Sequence, residues 1–539
     1  MQQRYDVIVI GSGPGGGAVA QRLARTGKRV LVVERGGYLP RERENWDASE
    51  VFNRARYQAK ETWLDKDGDE FHPGLHYFVG GNSKVYGAIL FRLRETDFDL
   101  VRHPDGASPA WPIGYDELEP WYGEAERLYR VHGLRGDDPT EPPAADPYPE
   151  PAIEHEPRIA ELAEGLRREG HRPFHLPVGV LLDQDERGNA LPHSPCIRCN
   201  RFDGYPCLTN GKADAQIISI DPALRTHANL TLLTNAYAER LLTDESGGAV
   251  TGVEIRRGFT GESGSGTLDH LKADIVVVAC GALSSALLML RSATDHHPQG
   301  LSNGSGLVGR NYMRHNNAVV LAVSKTPNPT RFQKTLGLND FYHAPAEGGM
   351  GEWDFPLGHI QMVGKSDGAQ IEGEALPSLL QWFPEKPFDW IAHHSLDFWL
   401  TSEDLPLREN RIEYDGAWDR GGRVRLHLTP TNIEAHARLR EKLRDLVGRL
   451  DAHPHLIDRS LYFGQNVPIS GTAHQAGTMV FGTDPETSVL DLDCRAQALD
   501  NLYVADASFM PSVGAVNPTL TIVANALRVA DRIERRLVA

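Results

Sequence analysis

A chain of 539 residues exceeds what one hydrophobic core ordinarily supports, and 40% apolar with 24% charged residues is ordinary globular composition, so two closely associated domains are expected. No apolar run approaches the roughly 18 residues that cross a membrane. A formal net charge of -17 without any Lys/Arg cluster argues against a nucleic-acid partner. Five cysteines cannot form a disulfide framework, and the polar start MQQR runs straight into an apolar stretch with no secretory pattern, so the expected address is the cytoplasm.

In chain order, the β-branched run Tyr5 to Ile10 predicts a strand, followed by a Gly-rich turn, a helix through Ala18, Leu23 and Ala24, and a second strand over Val30 to Val33, together a βαβ unit. From Gly136 to Pro157 prolines and acids are too dense for a helix or an interior strand, which predicts an exposed arm over the active site or around a second subunit of a homo-oligomer. NLTLLTNAYAERLLTDESGGAVTGVEIRR predicts strands joined by a turn at Gly247-Gly248, and DIVVVACGALSSALLMLRS a buried strand running into a helix. Between about Asn311 and Gln465, strand-like VVLAVS, HIQMVG and RVRLHL alternate with irregular stretches and an amphipathic helix from Asn432 to Leu450. The last helix begins at Pro518, where a missing N–H costs nothing.

Gly11-Ser12-Gly13-Pro14-Gly15-Gly16 fits the dinucleotide fingerprint and sits where it must, after a strand and opening a helix. The first glycine permits the turn, the second lets backbone approach a pyrophosphate, the third allows close helix–strand packing, and the helix start offers free N–H groups. Glu34, about twenty residues on at the end of the second strand, suits the adenosine-ribose hydroxyls and argues against a 2′-phosphate, with Arg35 beside it. These residues alone leave FAD and NAD both open.

The segment Gly80, Gly81, Asn82, Ser83, Lys84, Val85, Tyr86, Gly87, Ala88, followed by Arg92, resembles the second signature of the glucose–methanol–choline (GMC) oxidoreductases, which bind FAD. The likeness continues through Trp111-Pro112 with YDELEPWYGEAERLY, then VVVACGALSSALLMLRS, GLVGRNYMRH, GTAHQAGT and NLYVADASFMPSVGAVNPTLTIVANALRVAD. It implies an α/β fold, with a Rossmann-type FAD-binding domain over 1–130, 191–311 and 466–539, a proline-rich arm or insertion over 131–190, and a sheet-based α+β substrate-binding domain over 312–465. It places Ala236 at the adenine, Cys280 near the dinucleotide, and Asp506 and Ala507 near the pyrophosphate and ribityl chain. Family members with covalent flavin carry a histidine inside the loop at 80–88; none is present here, which implies non-covalent FAD.

For chemistry, the resemblance assigns His474 in GTAHQAGT as the base that takes the hydroxyl proton, and Asn517 as the residue that orients the same hydroxyl. An alcohol oxidised by hydride transfer needs such a base, and a neutral imidazole serves near physiological pH. Asn517, Pro518 and Thr519 also open the last helix, whose positive end suits the negative charge of reduced flavin. The His–Asn pair and RFQKTLGLNDFY resemble bacterial pyranose oxidases and glycoside 3-oxidases, implying oxidation of a secondary ring hydroxyl of a sugar or glycoside with O2 reduced to H2O2. Gln465 is a candidate substrate contact. Alternatives are a dehydrogenase that passes electrons to a quinone or cytochrome, and a lyase-type or non-redox flavin protein.

Cys196, Cys199 and Cys207 cluster in PCIRCNRFDGYPC, a spacing that would suit an iron–sulfur cluster or, with His193, zinc. The favoured reading is a turn-rich loop of buried thiols, with no metal.

Overall fold

The computed structural model describes residues 4–185, 188–262, 264–345, 353–375, 386–415, 423–450, 452–459 and 474–538. Arg4–Ile10 (β1), Pro14–Ala24 (α1) and Val30–Val33 (β2) form the βαβ start, with Val7, Val9 and the whole of β2 buried on both faces. A strand buried on both faces needs a continuous β-branched run, as these have. They join Leu230–Leu233 (β4), Ala236–Thr243 (β5), Val250–Arg257 (β6), Thr267–Val278 (β7) and Leu502–Val504 (β13) in one sheet of order β4-β2-β1-β7-β6-β5, with β13 also pairing β7. β1, β2, β4, β7 and β13 run parallel, while β5, β6 and the outer part of β7 form an antiparallel meander. Tyr115–Leu128 (α2) and Thr519–Val538 (α6) pack beside α1, and Ala282–Arg291 (α4) follows β7.

The second sheet has the order β12-β8-β11-β10-β9-β3, formed by Ala452–Arg459, Asn316–Ser324, Ser395–Ser402, His359–Met362, Leu336–Leu338 and Pro173–His175. Within residues 131–190, therefore, the strand β3 pairs with β9 at a sheet edge. Helices Pro157–Arg168 (α3) and Ile433–Arg449 (α5) cover that sheet. Leu439, Leu443 and Leu446 lie on one face of α5 and close a core with Leu162, Ile360 and Phe398. The strand at 423–427 forms a separate small sheet with 411–415 and 63–64, and its Val424 and Leu426 are buried in the larger core with the first sheet. No helix among the described residues is long and apolar enough to cross a membrane.

Candidate active site

A cavity of about 660 Å3 lies between the two sheets. Its first wall is the turn after β1. Gly11 has φ +102°, a conformation that a side chain opposes, and its N–H donates to Val33 O at 2.8 Å, pinning the turn to β2. A Cβ on Gly16 would come within 2.0 Å of Gly11 O, so α1 can approach the strand this closely only without a side chain there. At Gly13 an added Cβ meets nothing within 4 Å, leaving open space before the start of α1.

Glu34 is buried at the end of β2. Its Oε2 accepts Ser12 N–H at 3.1 Å and Ser12 O–H at 2.6 Å, and its Oε1 accepts Gly36 N–H at 2.9 Å. Burial pushes its pKa up, and those hydrogen bonds oppose the rise. Ser12 Oγ also accepts Gly80 N–H at 3.0 Å, joining the turn to the loop at 80–88. That loop is anchored by Lys84, buried with its Nζ donating to Asp214 at 2.9 Å and Gln216 at 2.8 Å, and by Tyr86 O–H on Ala213 O at 2.5 Å. Arg35 pairs with Glu61 at 2.7 Å and lies 3.7 Å over the Tyr77 ring.

Of the sequence-predicted cofactor residues, Gly11, Ser12, Gly13, Gly15, Glu34, Arg35, Gly81, Asn82, Ser83, Tyr86, Gly87, Ala88, Ala236, Cys280, Asp506, Ala507 and Thr519 line this cavity. Gly16 and Pro518 are not among its lining residues. Asp506 accepts Gly281 N–H at 3.0 Å and Ser508 N–H at 2.9 Å, tying the end of β13 to the start of α4. The Cys280 thiol, pushed up to about 12 by burial, donates to Ile10 O at 3.3 Å. Gln465 lies outside the described residues.

His474 and Asn517, 43 positions apart, meet at the opposite end, with Asn517 Nδ2 3.5 Å from His474 Nε2. His315 completes a constellation that sequence reasoning missed. Its Nε2 faces Gly514 O at 3.0 Å, and a carbonyl can only accept, so this nitrogen carries the hydrogen. Its Nδ1 is then an acceptor and takes the hydrogen of His474 Nδ1 at 2.7 Å. His474 Nε2 is left unprotonated, an acceptor facing the Asn517 amide N–H. Burial, the neighbouring His315 and Lys334 hold the His474 pKa well below 6.5, and burial lowers His315 to about 4, so both rings are neutral near pH 7. The sequence signal for His315 was present as the last residue of GLVGRNYMRH, yet nothing local gave it a role.

The cysteine loop adjoins the cavity through Asp203. Cys196 is buried with its thiol raised to about 12, Cys199 and Cys207 are partly buried, and all three are free. Among the described residues no three His, Cys, Asp or Glu side chains are grouped to hold a metal ion.

Residues 78–317 and 406–526 match the N- and C-terminal parts of the GMC oxidoreductases, and residues 9–46 match an NAD(P)-binding Rossmann-like domain. The chain belongs to the GMC oxidoreductase family. It is similar to 6'''-hydroxyparomomycin C oxidase of Streptomyces lividus, 32% identical with 99% of this chain and 92% of that one covered. Paromamine 6'-oxidase of Streptomyces fradiae is 30% identical over 99% of this chain and 92% of its own. Pyridoxine 4-oxidase from Mesorbium loti has the same fold, with a TM-score of 0.63 at 19% identity over 98% of this chain and 99% of that structure. This GMC oxidoreductase therefore acts on CH–OH groups, and its family implies FAD. The open space at Gly13, the free N–H groups opening α1 and the carboxylate of Glu34 fit a dinucleotide.

Proposed function

We propose that this enzyme oxidises a secondary ring hydroxyl of a sugar or glycoside to a ketone, with non-covalently bound FAD and with O2 taken to H2O2. One observation carries the chemistry: the tautomer imposed on His474 leaves its Nε2 as an unprotonated base next to Asn517 in the cavity. FAD would be held along Gly11–Gly16 and the 80–88 loop and would supply the hydride acceptor.

His474 Nε2 takes the hydroxyl proton as the C–H hydride leaves, and His315 holds the ring in the tautomer that permits this. Asn517 Nδ2 steadies the same oxygen. The opening turn of α6, beginning at Thr519 in the cavity wall, presents its positive end to the negative charge that develops there. Both relatives named above support a sugar-derived substrate, being called oxidases of aminoglycoside-type compounds. The absence of histidine from the 80–88 loop supports a non-covalent cofactor.

The test is anaerobic bleaching of the bound flavin across free sugars, O- and C-glycosides and simple alcohols, followed by air. Bleaching by sugars, fast recovery and one H2O2 per turnover is the expected result, with a ketone at a ring carbon of the product. An aldehyde product would instead place the reaction at a primary hydroxyl. Bleaching that air does not reverse would mark a dehydrogenase, and bleaching only by non-sugar alcohols would remove the sugar assignment.

A further inference from the structure

The cysteine-rich loop acquires a purpose once its one cavity-lining carboxylate is followed. Asp203 Oδ1 accepts from Lys334 Nζ, and its Oδ2 accepts Gly364 N–H at 2.6 Å. The lysine side chain is 2% exposed, the aspartate 23%, and both line the cavity. The pair stands against the 80–88 loop: a Cβ on Gly87 would lie 2.2 Å from both Lys334 Nζ and Asp203 Oδ1.

The main chain on either side of the carboxylate is clamped. Buried Lys212 donates to Phe202 O at 2.8 Å and Tyr205 O at 3.0 Å, and Gly204 N–H donates to Val85 O at 2.9 Å. On the wall formed by the second sheet the cavity meets Asn317, Gln361 and Trp399, which are neutral, and Lys365, whose Nζ donates to Ser395 O at 2.7 Å. Among the described residues, the lining here thus carries Lys334, Lys365 and one carboxylate, Asp203, while Lys365 also has the buried Asp397 carboxylate as a counter-charge behind the lining. The remaining carboxylates in the wall, Glu34, Glu61 and Asp506, lie in the cofactor half.

We infer that the Asp203–Lys334 pair selects neutral, hydroxyl-rich rings over rings bearing an ammonium group, an inference that rests on the sugar-oxidation reading above. A hydroxyl both donates and accepts, so it can bridge the carboxylate and the ammonium of the pair at once. A sugar ammonium only donates, so it cannot accept from Lys334, and it would bring a second positive charge beside that group in a low-dielectric site whose one lining carboxylate is already paired with it. Rejection of that kind is specificity by an uncompensated charge rather than by added contacts. It would separate this chain from a relative named for paromamine.

The experiment uses the FAD-loaded enzyme and anaerobic stopped-flow flavin reduction, which reads half-saturation and limiting rate separately. Glucose is compared from pH 6 to pH 9 with those of its 2-, 3- and 6-amino-deoxy analogues that keep the hydroxyl at the oxidised carbon. At pH 6 each amine is expected to be at least about tenfold less efficient than glucose, mainly through half-saturation, with the gap closing as the amine loses its proton. Lys334→Met, which leaves the Asp203 carboxylate without its ammonium partner, is expected to narrow the gap at low pH, and Lys334→Arg to preserve it. The wild-type pH series needs no variant to fold. Amino sugars that match glucose at pH 6 overturn the inference while leaving the sugar reading intact; an enzyme reduced by no sugar or glycoside, neutral or amino-substituted, overturns both.

Discussion

Along the cofactor half of the cavity the wall includes main chain at fixed local spacing, in the turn from Gly11 to Gly15 and the loop at 80–88, with the carboxylate of Glu34 beside it. Across the cavity, the second sheet and its neighbours contribute side chains instead, His315, Lys334, Gln361 and Trp399, which join His474 and Asn517 from four separate stretches of chain. Backbone recognition needs glycines at fixed local spacing, which leaves a motif. Side-chain recognition needs only that distant residues converge, which leaves none.

That contrast can be broken at either end, and the largest effect is expected in the cofactor half. Gly16→Val puts a side chain into Gly11 O and Ala279, and it should yield protein without bound FAD, seen as a lost flavin absorbance in whatever folds. A yellow, stable Gly16→Val protein would show that the close helix–strand approach is not needed. In the substrate half the opposite split is expected. His474→Ala should keep FAD and lose about 10²- to 10⁴-fold in the rate of flavin reduction by substrate, measured anaerobically. Unchanged reduction would remove His474 from the chemistry.

A smaller effect is expected one residue further out. His315→Ala deletes the acceptor of His474 Nδ1–H and should slow reduction about tenfold with half-saturation little changed, while His315→Asn, whose carbonyl can accept the same hydrogen, restores part of the rate. Equal losses in both variants would reduce His315 to packing. The mildest test uses the wild type alone. Because the His474 pKa is held below 6.5, its base form persists as pH falls, so the flavin-reduction rate should stay level down to 6.5 and decline only beneath it. An acid limb centred at or above 6.5 would mean that the substrate-bound ring is not depressed.

Much of the first sheet was legible because its signals are short-range. The run Tyr5–Ile10, the glycines after it and Val30–Val33 specify strand, turn and strand within thirty residues, and the observed β1, α1 and β2 coincide with them to within a residue where bounds were read. The amphipathic helix read over 432–450 likewise appears as Ile433–Arg449, its leucines spaced to make one apolar face. Neighbouring residues in the chain give no such guide for 173–175, a three-residue strand whose partner is Leu336–Leu338; RVRLHL was legible as a strand, observed at 423–427, but its alternating Val424 and Leu426 do not say which sheet it joins.

The sequence by itself determined the dinucleotide-binding turn, the acid that follows it, the ordered series of motifs that marks the family, and two residues of the candidate chemistry, His474 and Asn517. Tertiary structure alone decided which nitrogen of His474 is left without a hydrogen, because that depends on a carbonyl at Gly514 and a ring at His315 that lies 159 positions away. It also decided that a loop marked by three cysteines would deliver an aspartate to Lys334, 131 positions distant. Local geometry is written in spacing; a proton's position and a charge's partner depend on low-dielectric contacts that exist only after the chain has closed around them.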